Sequence, residues 1–471
     1  MGHGENNYEK MEMKNLMSWN NCFSNERYGV NLNKRDSRHE YERDWDRLIF
    51  SSAFRRLQNK TQVFPLPEEV FVHNRLTHSL EVASVGRSLG KLVGKQISQL
   101  PEVREDNEAR SFYRNHLKTV ISTACLAHDM GNPAFGHSGE EAISKFFIDN
   151  EKDDLRDSFL DEEWTDLINF EGNANALRLL TKDSQAGTSG GFRLTYSTLG
   201  SIIKYPCESK ASNKSHKHRK KYGFFQIDKD VFLEIAQKLN MIQDETIDGV
   251  VFKRHPFVYL VEAADDICYN IIDFEDAHRL GILSHEEVSL MFLKLIKLNK
   301  KEDYEHVLEM CQNLDKDKNE KIAYLRAKAI NYLTYRCSEV FLENKEKILQ
   351  GNYTGDLFND ISEAKVLLKE IEEISYAKIY NYTSVVKIEL AGFRIMSGLI
   401  EDFVEAALMP NQLRLKRHNK IIELIPESHR FKEDDSPYIK VMYVIDYISG
   451  MTDLFALKLY RNLRGIEMPN I

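Results

Sequence analysis

Residues 120–140 read VISTACLAHDMGNPAFGHSGE. The first eight form the apolar face of a helix, so His128 and Asp129 fall at its C-terminal end, where Gly131 and Pro133 stop it. Adjacent helical residues point about 100° apart, so this pair can share a ligand only at the seam between their directions. A small divalent cation meets that demand, because imidazole nitrogen and carboxylate oxygen both bind it at roughly 2.0–2.2 Å. Two ligands hold a metal poorly, so others must come from elsewhere in the chain. RLTHSLEVA at residues 75–83 places His78 on a helix whose Leu76, Leu80 and Ala83 are expected to face the core. VEAADDICYNIID at residues 261–273 carries Asp265 and Asp266 in the middle of an apolar helix. Buried carboxylates are costly unless paired or metal-bound.

The second half of the opening stretch supplies a different device. Ser138 and Glu141 stand three apart, a capping box that predicts a helix beginning just after His137. Glu140 is three residues from His137, close enough to hydrogen-bond it and raise its pKa. A positioned imidazolium contributes about 100- to 10,000-fold as a general acid. Arg75 precedes His78 by three residues on one helix face, within reach of an anion beside the metal. Tyr269 and Asp273 follow Asp265 at four-residue steps and share its face.

Around these motifs the chain is a globular one of 471 residues, long enough for one large domain or two to three average ones. Its hydrophobic content of 42% suffices for a substantial core. Periodicity is mostly helical, as in Trp45, Ile49, Ala53 and Leu57 at four-residue steps, and from about Glu286 onward the pattern is of long amphipathic helices. The fold class is therefore mainly α. Short β-hairpins are expected, if anywhere, around residues 65–72 and 194–225. Met1 to about Asn21 reads as a loose arm, and residues 184–222 as a weakly ordered stretch.

Six dispersed cysteines without a CxxC pair, and no leader-like segment, suit a reduced cytoplasm. No apolar run approaches the roughly 20 residues of a membrane helix. With a net charge of -9 the whole-molecule field repels polyanions, so a nucleotide needs a local basic pocket. The run KASNKSHKHRKK at residues 210–221 has six Lys or Arg and no acid. It reads as a solvated loop, as triphosphate capture, or as a polynucleotide contact, although it holds no aromatic platform for base stacking.

The order His78, His128–Asp129, Asp265 resembles the signature of the HD-domain phosphohydrolase superfamily. More narrowly, RDWDRLIFSSAFRRLQNKTQVF at residues 43–64, NRLTHSLEV, LAHDMGNPAFGHSGE, FEGNA, IIKYP, EAADDICY and YISGMTD resemble the bacterial dGTPase family of deoxynucleoside triphosphate triphosphohydrolases. The resemblance implies an N-terminal arm over residues 1–24, an HD-domain helical bundle over 25–285, and a helical region over 286–471 that closes the pocket and supplies oligomer contacts. It also implies splitting of a dNTP at the α phosphorus to deoxynucleoside and inorganic triphosphate. One divalent ion would be held by His78, His128, Asp129 and Asp265, and the nitrogen and oxygen donors admit Mn, Mg, Fe, Co, Ni or Zn.

By the same resemblance His137 and Glu140 are catalytic, with Glu171 of FEGNA beside them. Phe170 stands where some superfamily members carry a second histidine, which weakens the case for a two-histidine relay. Arg75, Asn173, Lys204, Tyr205 and Lys221 would hold the triphosphate, with Lys220 or Arg219 as alternatives to Lys221. Gln62 would read the 3′ hydroxyl, Tyr269 would pack on the sugar, and Asp273 would lie nearby; without the resemblance Tyr269 reads as a core aromatic. Gly450 to Asp453 reads either as a substrate-approaching segment or as a helix-packing site. Implied partners are the dNTP, single-stranded DNA or a second dNTP as effector, and further copies of the chain, a hexamer being favoured. Two alternatives stand beside this reading: another HD-class phosphohydrolase acting on nucleotides or phosphodiesters, and a non-catalytic nucleotide sensor or nucleic-acid binder.

Overall fold

The computed structural model describes residues 17–30, 39–64, 72–151, 155–183 and 190–468. The helices that build the site are α1 (Glu40–Ile49), α2 (Ser52–Arg56), α3 (Arg75–Ile97), α4 (Leu117–Ala127), α5 (His137–Asp149), α6 (Gly172–Thr181), α7 (Val258–Arg279), α8 (Lys318–Glu343), α9 (Thr383–Leu408), α10 (Pro437–Ser449) and α11 (Asp453–Leu463). Among the described residues there is no strand, only isolated bridges such as Thr61 with Asn74 and Cys207 with Val251. The hairpin expected within 194–225 is absent. That stretch instead holds a helix at Tyr196–Ile202, capped by the Thr195 hydroxyl and buried along its whole length. The hairpin expected around 65–72 lies, but for Val72, outside the described residues.

The periodic stripe from Trp45 to Leu57 is not one helix, because the Ser51 side chain caps a new start and separates α1 from α2. The expected loose arm is packed over its described part. Trp19 and Cys22 are buried, with Trp19 edge-on to Tyr113 and tilted against Phe341.

The relative placement of the two histidine-bearing helices follows from a seam of small residues. His78, Val82, Gly86, Gly90 and Gly94 recur every four residues along α3 and so share one face. A Cβ at Gly86 would stand 2.5 Å from Cys125 Sγ, and one at Gly94 would stand 2.2 Å from the Tyr113 carbonyl oxygen. The glycines thus let α3 lie against α4 closely and antiparallel, which sets His78 beside the C-terminal end of α4. This also corrects the expected core face of α3: Leu80 is 41% exposed, and the packed stripe is the one that carries His78.

Two hydrophobic cores result. The larger joins α3, α4 and α7 to α8 in the second half of the chain. The other joins α5 to α9 and α10. All six cysteines are buried and free, and no described helix is long and apolar enough to cross a membrane.

Candidate active site

α4 ends at Ala127, with His128 as its C-cap, as the Gly/Pro bend predicts. His128 Nδ1 donates to the Cys125 carbonyl at 2.6 Å, which turns Nε2 toward the acidic side chains of the site. That Nε2 is buried and makes no hydrogen bond of good geometry among the described residues. His78 Nε2 lies 3.1 Å from Asp265 Oδ1, and His128 Nε2 lies 3.4 Å from the same oxygen and 3.7 Å from Asp129 Oδ1. Ligand atoms of His78, His128 and Asp129 fall within 4.8 Å of one another. His78, His128 and Asp129 thus form a group able to hold a divalent cation, with Asp265 lying against both histidines. Burial pushes the Asp265 carboxyl up, but His128 and His78 outweigh it and hold it well below the usual range. Asp129 is likewise held low against its burial, first by Arg75.

The second device departs in detail from the sequence expectation. α5 begins at His137 itself, and its N-cap is Gly136, not a Ser138–Glu141 box. Gly136 has φ +56° and Phe135 φ +60°, a left-handed bend that glycine adopts without strain and phenylalanine does not. The bend aims His137 into a cavity of about 630 Å3. His137 Nδ1 lies 2.8 Å from Glu140 Oε2, and Glu140 Oε1 accepts from the Gly172 amide at 2.8 Å. The Glu140 hydrogen bond raises the His137 pKa above its ordinary value, while partial burial works against it. The imidazole is walled by protein yet 87% open to cavity water, so solvent screens part of that effect.

Lys221 contacts Glu171 Oε2 at 2.8 Å and Glu140 Oε2 at 3.9 Å, and Glu171 also caps α6 by accepting from the Asn173 amide. Burial, then the Glu140 charge, pushes the Glu171 pKa up. Phe170 is buried against Phe225 and belongs to the core.

Of the remaining residues singled out in the sequence, Gln62, Arg75, Asn173, Lys204, Tyr205 and Tyr269 all line the cavity. Arg75 Nη1 donates to Asp129 Oδ2 at 2.7 Å, so it is anchored beside the metal ligands. Lys204 pairs with Glu262 at 3.3 Å. Asp273 is not in the wall: it is buried one layer behind, where its carboxylate accepts from the Tyr380 hydroxyl at 2.9 Å.

Among the other cavity residues, Lys220 stood in the sequence reading as an alternative to Lys221, and the rest escaped it. Lys220 lines the cavity and has no carboxylate partner among the described residues, whereas Lys210, Lys217 and Lys221 of the same run pair with Glu162, Asp356 and Glu171. Asn132 donates to Asp129 Oδ1 at 2.5 Å. Tyr380, stacked on Tyr269, and Val385, Ile388 and Glu389 at the start of α9 close the cavity from the second half of the chain. Nothing in their local sequence marks them, since only tertiary packing brings them near His128.

Asp453 resolves the reading of the YISGMTD stretch. It does not line the cavity, but its Oδ2 accepts from the Thr61 amide at 2.8 Å and its Oδ1 from the Phe135 amide at 3.0 Å. It therefore pins the residue before Gln62 and the strained bend before His137 together.

A helical bundle with two histidines and two aspartates converging at the end of one helix defines an HD-domain phosphohydrolase. Residues 75–169 match the HD domain family, and residues 361–462 match the phosphohydrolase-associated domain. A Synechocystis deoxyguanosinetriphosphate triphosphohydrolase-like protein is 38% identical over 467 residues, covering 96% of this chain and all of that one. A Pseudomonas aeruginosa protein of the same description is 35% identical over 461 residues, with the same coverage. A Yersinia enterocolitica deoxyguanosinetriphosphate triphosphohydrolase is 30% identical over 501 residues, covering 91% of this chain and 94% of its own. The chain belongs to the deoxyguanosinetriphosphate triphosphohydrolase family of HD-domain phosphohydrolases.

Proposed function

We propose that the protein hydrolyses deoxynucleoside triphosphates to deoxynucleoside and inorganic triphosphate. The observation that carries this reading is the convergence on one cavity of the His78, His128 and Asp129 donor group, with Asp265 beside it, and a separate His137–Glu140 pair, with cationic side chains between. His78, His128, Asp129 and Asp265 would hold a divalent ion, which would supply a lowered pKa for water and polarisation of a phosphoryl oxygen. Water oxygen bonds to the α phosphorus as the bond from that phosphorus to the 5′ oxygen breaks. His137 gives its proton to the departing oxygen, and Glu140 stabilises the imidazolium beforehand.

Arg75, Lys204, Lys220 and Lys221 offset the charge of the triphosphate, and Asn173 donates from the wall. This use of the basic run accounts for its cations better than a polynucleotide surface does. Tyr269 and Tyr380 wall the sugar subsite, and the Gln62 amide oxygen, which has no partner among the described residues, accepts from the 3′ hydroxyl. Glu389 makes no hydrogen bond or ion pair among the described residues and faces the cavity. A carboxylate there accepts the paired N–H groups of a guanine edge, which favours dGTP. The enzyme is read as cytoplasmic and oligomeric, a hexamer being favoured.

The test is incubation with each of the four dNTPs, alone and mixed, with Mn or Mg, and resolution of the products. Deoxynucleoside with intact triphosphate is expected. Pyrophosphate or orthophosphate in its place would defeat the proposal.

A further inference from the structure

A second cleft, of about 120 Å3, lies behind the HD turn between α2, α6 and α10. Its walls carry Arg56, Lys60, Lys182 and His429. Lys182 is committed to Asp446, which Arg178 also engages at 2.7 Å. Lys60 is buried and donates to the Asn132 carbonyl at 2.6 Å and the Ser449 carbonyl at 3.0 Å, two neutral acceptors for an ammonium with three hydrogens. Arg56 is half-buried and has no hydrogen-bond or carboxylate partner among the described residues. Against these cations the cleft offers Asp446, already shared, and Asp183, which accepts from the Gly190 amide.

Arg56 lacks a counter-ion among the described residues, and burial pulls the Lys60 pKa down to about 7; an anion in the cleft would pair the first and hold the second protonated. A cleft of about 120 Å3 accommodates a tetrahedral oxyanion. A guanidinium fork suits phosphoryl oxygens in particular. We infer that this cleft is a second, phosphoryl-oxyanion site, formed by Arg56, Lys60 and Lys182 and separate from the active-site cavity. An anion there sits next to the ammonium that holds the Asn132 carbonyl, and Asn132 in turn holds Asp129. Occupancy of the cleft therefore steadies the HD turn from behind.

Calorimetric titration of the full-length, metal-loaded protein with inorganic phosphate tests this, with thymidine 5′-monophosphate as a second arm. Wild type is expected to show two classes of site. Lys204→Met should weaken the active-site class alone. Arg56→Met should weaken the other at least tenfold, and Arg56→Lys should recover most of it, while circular dichroism and turnover without added phosphate stay near wild type. Arg56-dependent heat with the nucleotide but not with phosphate assigns the phosphoryl group to a nucleotide carrier. Equal titration of Arg56→Met and wild type with both probes, or a single class that Lys204→Met abolishes, overturns the inference.

Discussion

Asp453→Asn is the most informative single substitution, because it alters the bend before His137 without replacing any residue of the cavity wall. The native carboxylate accepts from two backbone amides, of Thr61 and Phe135. Asparagine keeps the shape and one acceptor oxygen, but turns an NH2 group toward the other amide. Hydrogen bonds to a charged acceptor contribute about 1.5–3 kcal/mol each, and a non-glycine residue held at positive φ, as Phe135 is, stores about 1–3 kcal/mol of strain. Losing one bond is enough to release that strain and let His137 swing from its aim. A penalty of about 2 kcal/mol in the transition state is about 30-fold in kcat. Turnover with dGTP should fall by that order, while KM changes little and bound metal, measured by elemental analysis, stays at the wild-type level. An unchanged kcat with a lowered Tm would show Asp453 to be a staple only. Loss of metal in step with kcat would show that it acts through the HD centre and not through His137.

Three further outcomes follow from the same geometry. On the proposed mechanism His137 donates the proton and its pKa is raised, so its protonated form is fully present below the ordinary histidine range and is lost as pH rises through the raised value, setting an alkaline limb; Glu140→Gln should shift that limb toward acid in a pH–rate profile. His128→Ala should lose metal in equilibrium dialysis and reduce turnover at least 100-fold, whereas His137→Ala should lose turnover by a similar factor with metal retained. Glu389→Gln should lower kcat/KM for dGTP by about tenfold or more, through loss of a charged acceptor, and change it little for dTTP when the four dNTPs are compared.

His128, Asp129 and Asp265 were legible as candidate ligands because each breaks a local rule, whereas His78 entered through the resemblance. A histidine and an aspartate end a buried helix, and a carboxylate sits within an apolar one, and such violations need a ligand to offset them. The Glu140 partner of His137 was legible from a three-residue spacing, although the start of α5 was misplaced, because a left-handed glycine and not a side chain caps it. Asp273 was legible as a face-mate of Asp265 but not as a buried group, since helical phase gives direction and not depth.

The chain's own residue order thus pointed to the helical class, to His128–Asp129 at a helix end and to the His137–Glu140 pair, which depend on contacts within one or two turns, while the family motifs supplied His78 and Asp265. Tertiary structure alone decided that Tyr380 and Glu389 close the cavity, that Lys220 faces it without a carboxylate partner among the described residues, and that Asp453 pins the bend. These roles depend on backbones from opposite ends of the chain meeting across packed cores, and local periodicity carries no information about which distant surface a helix will meet.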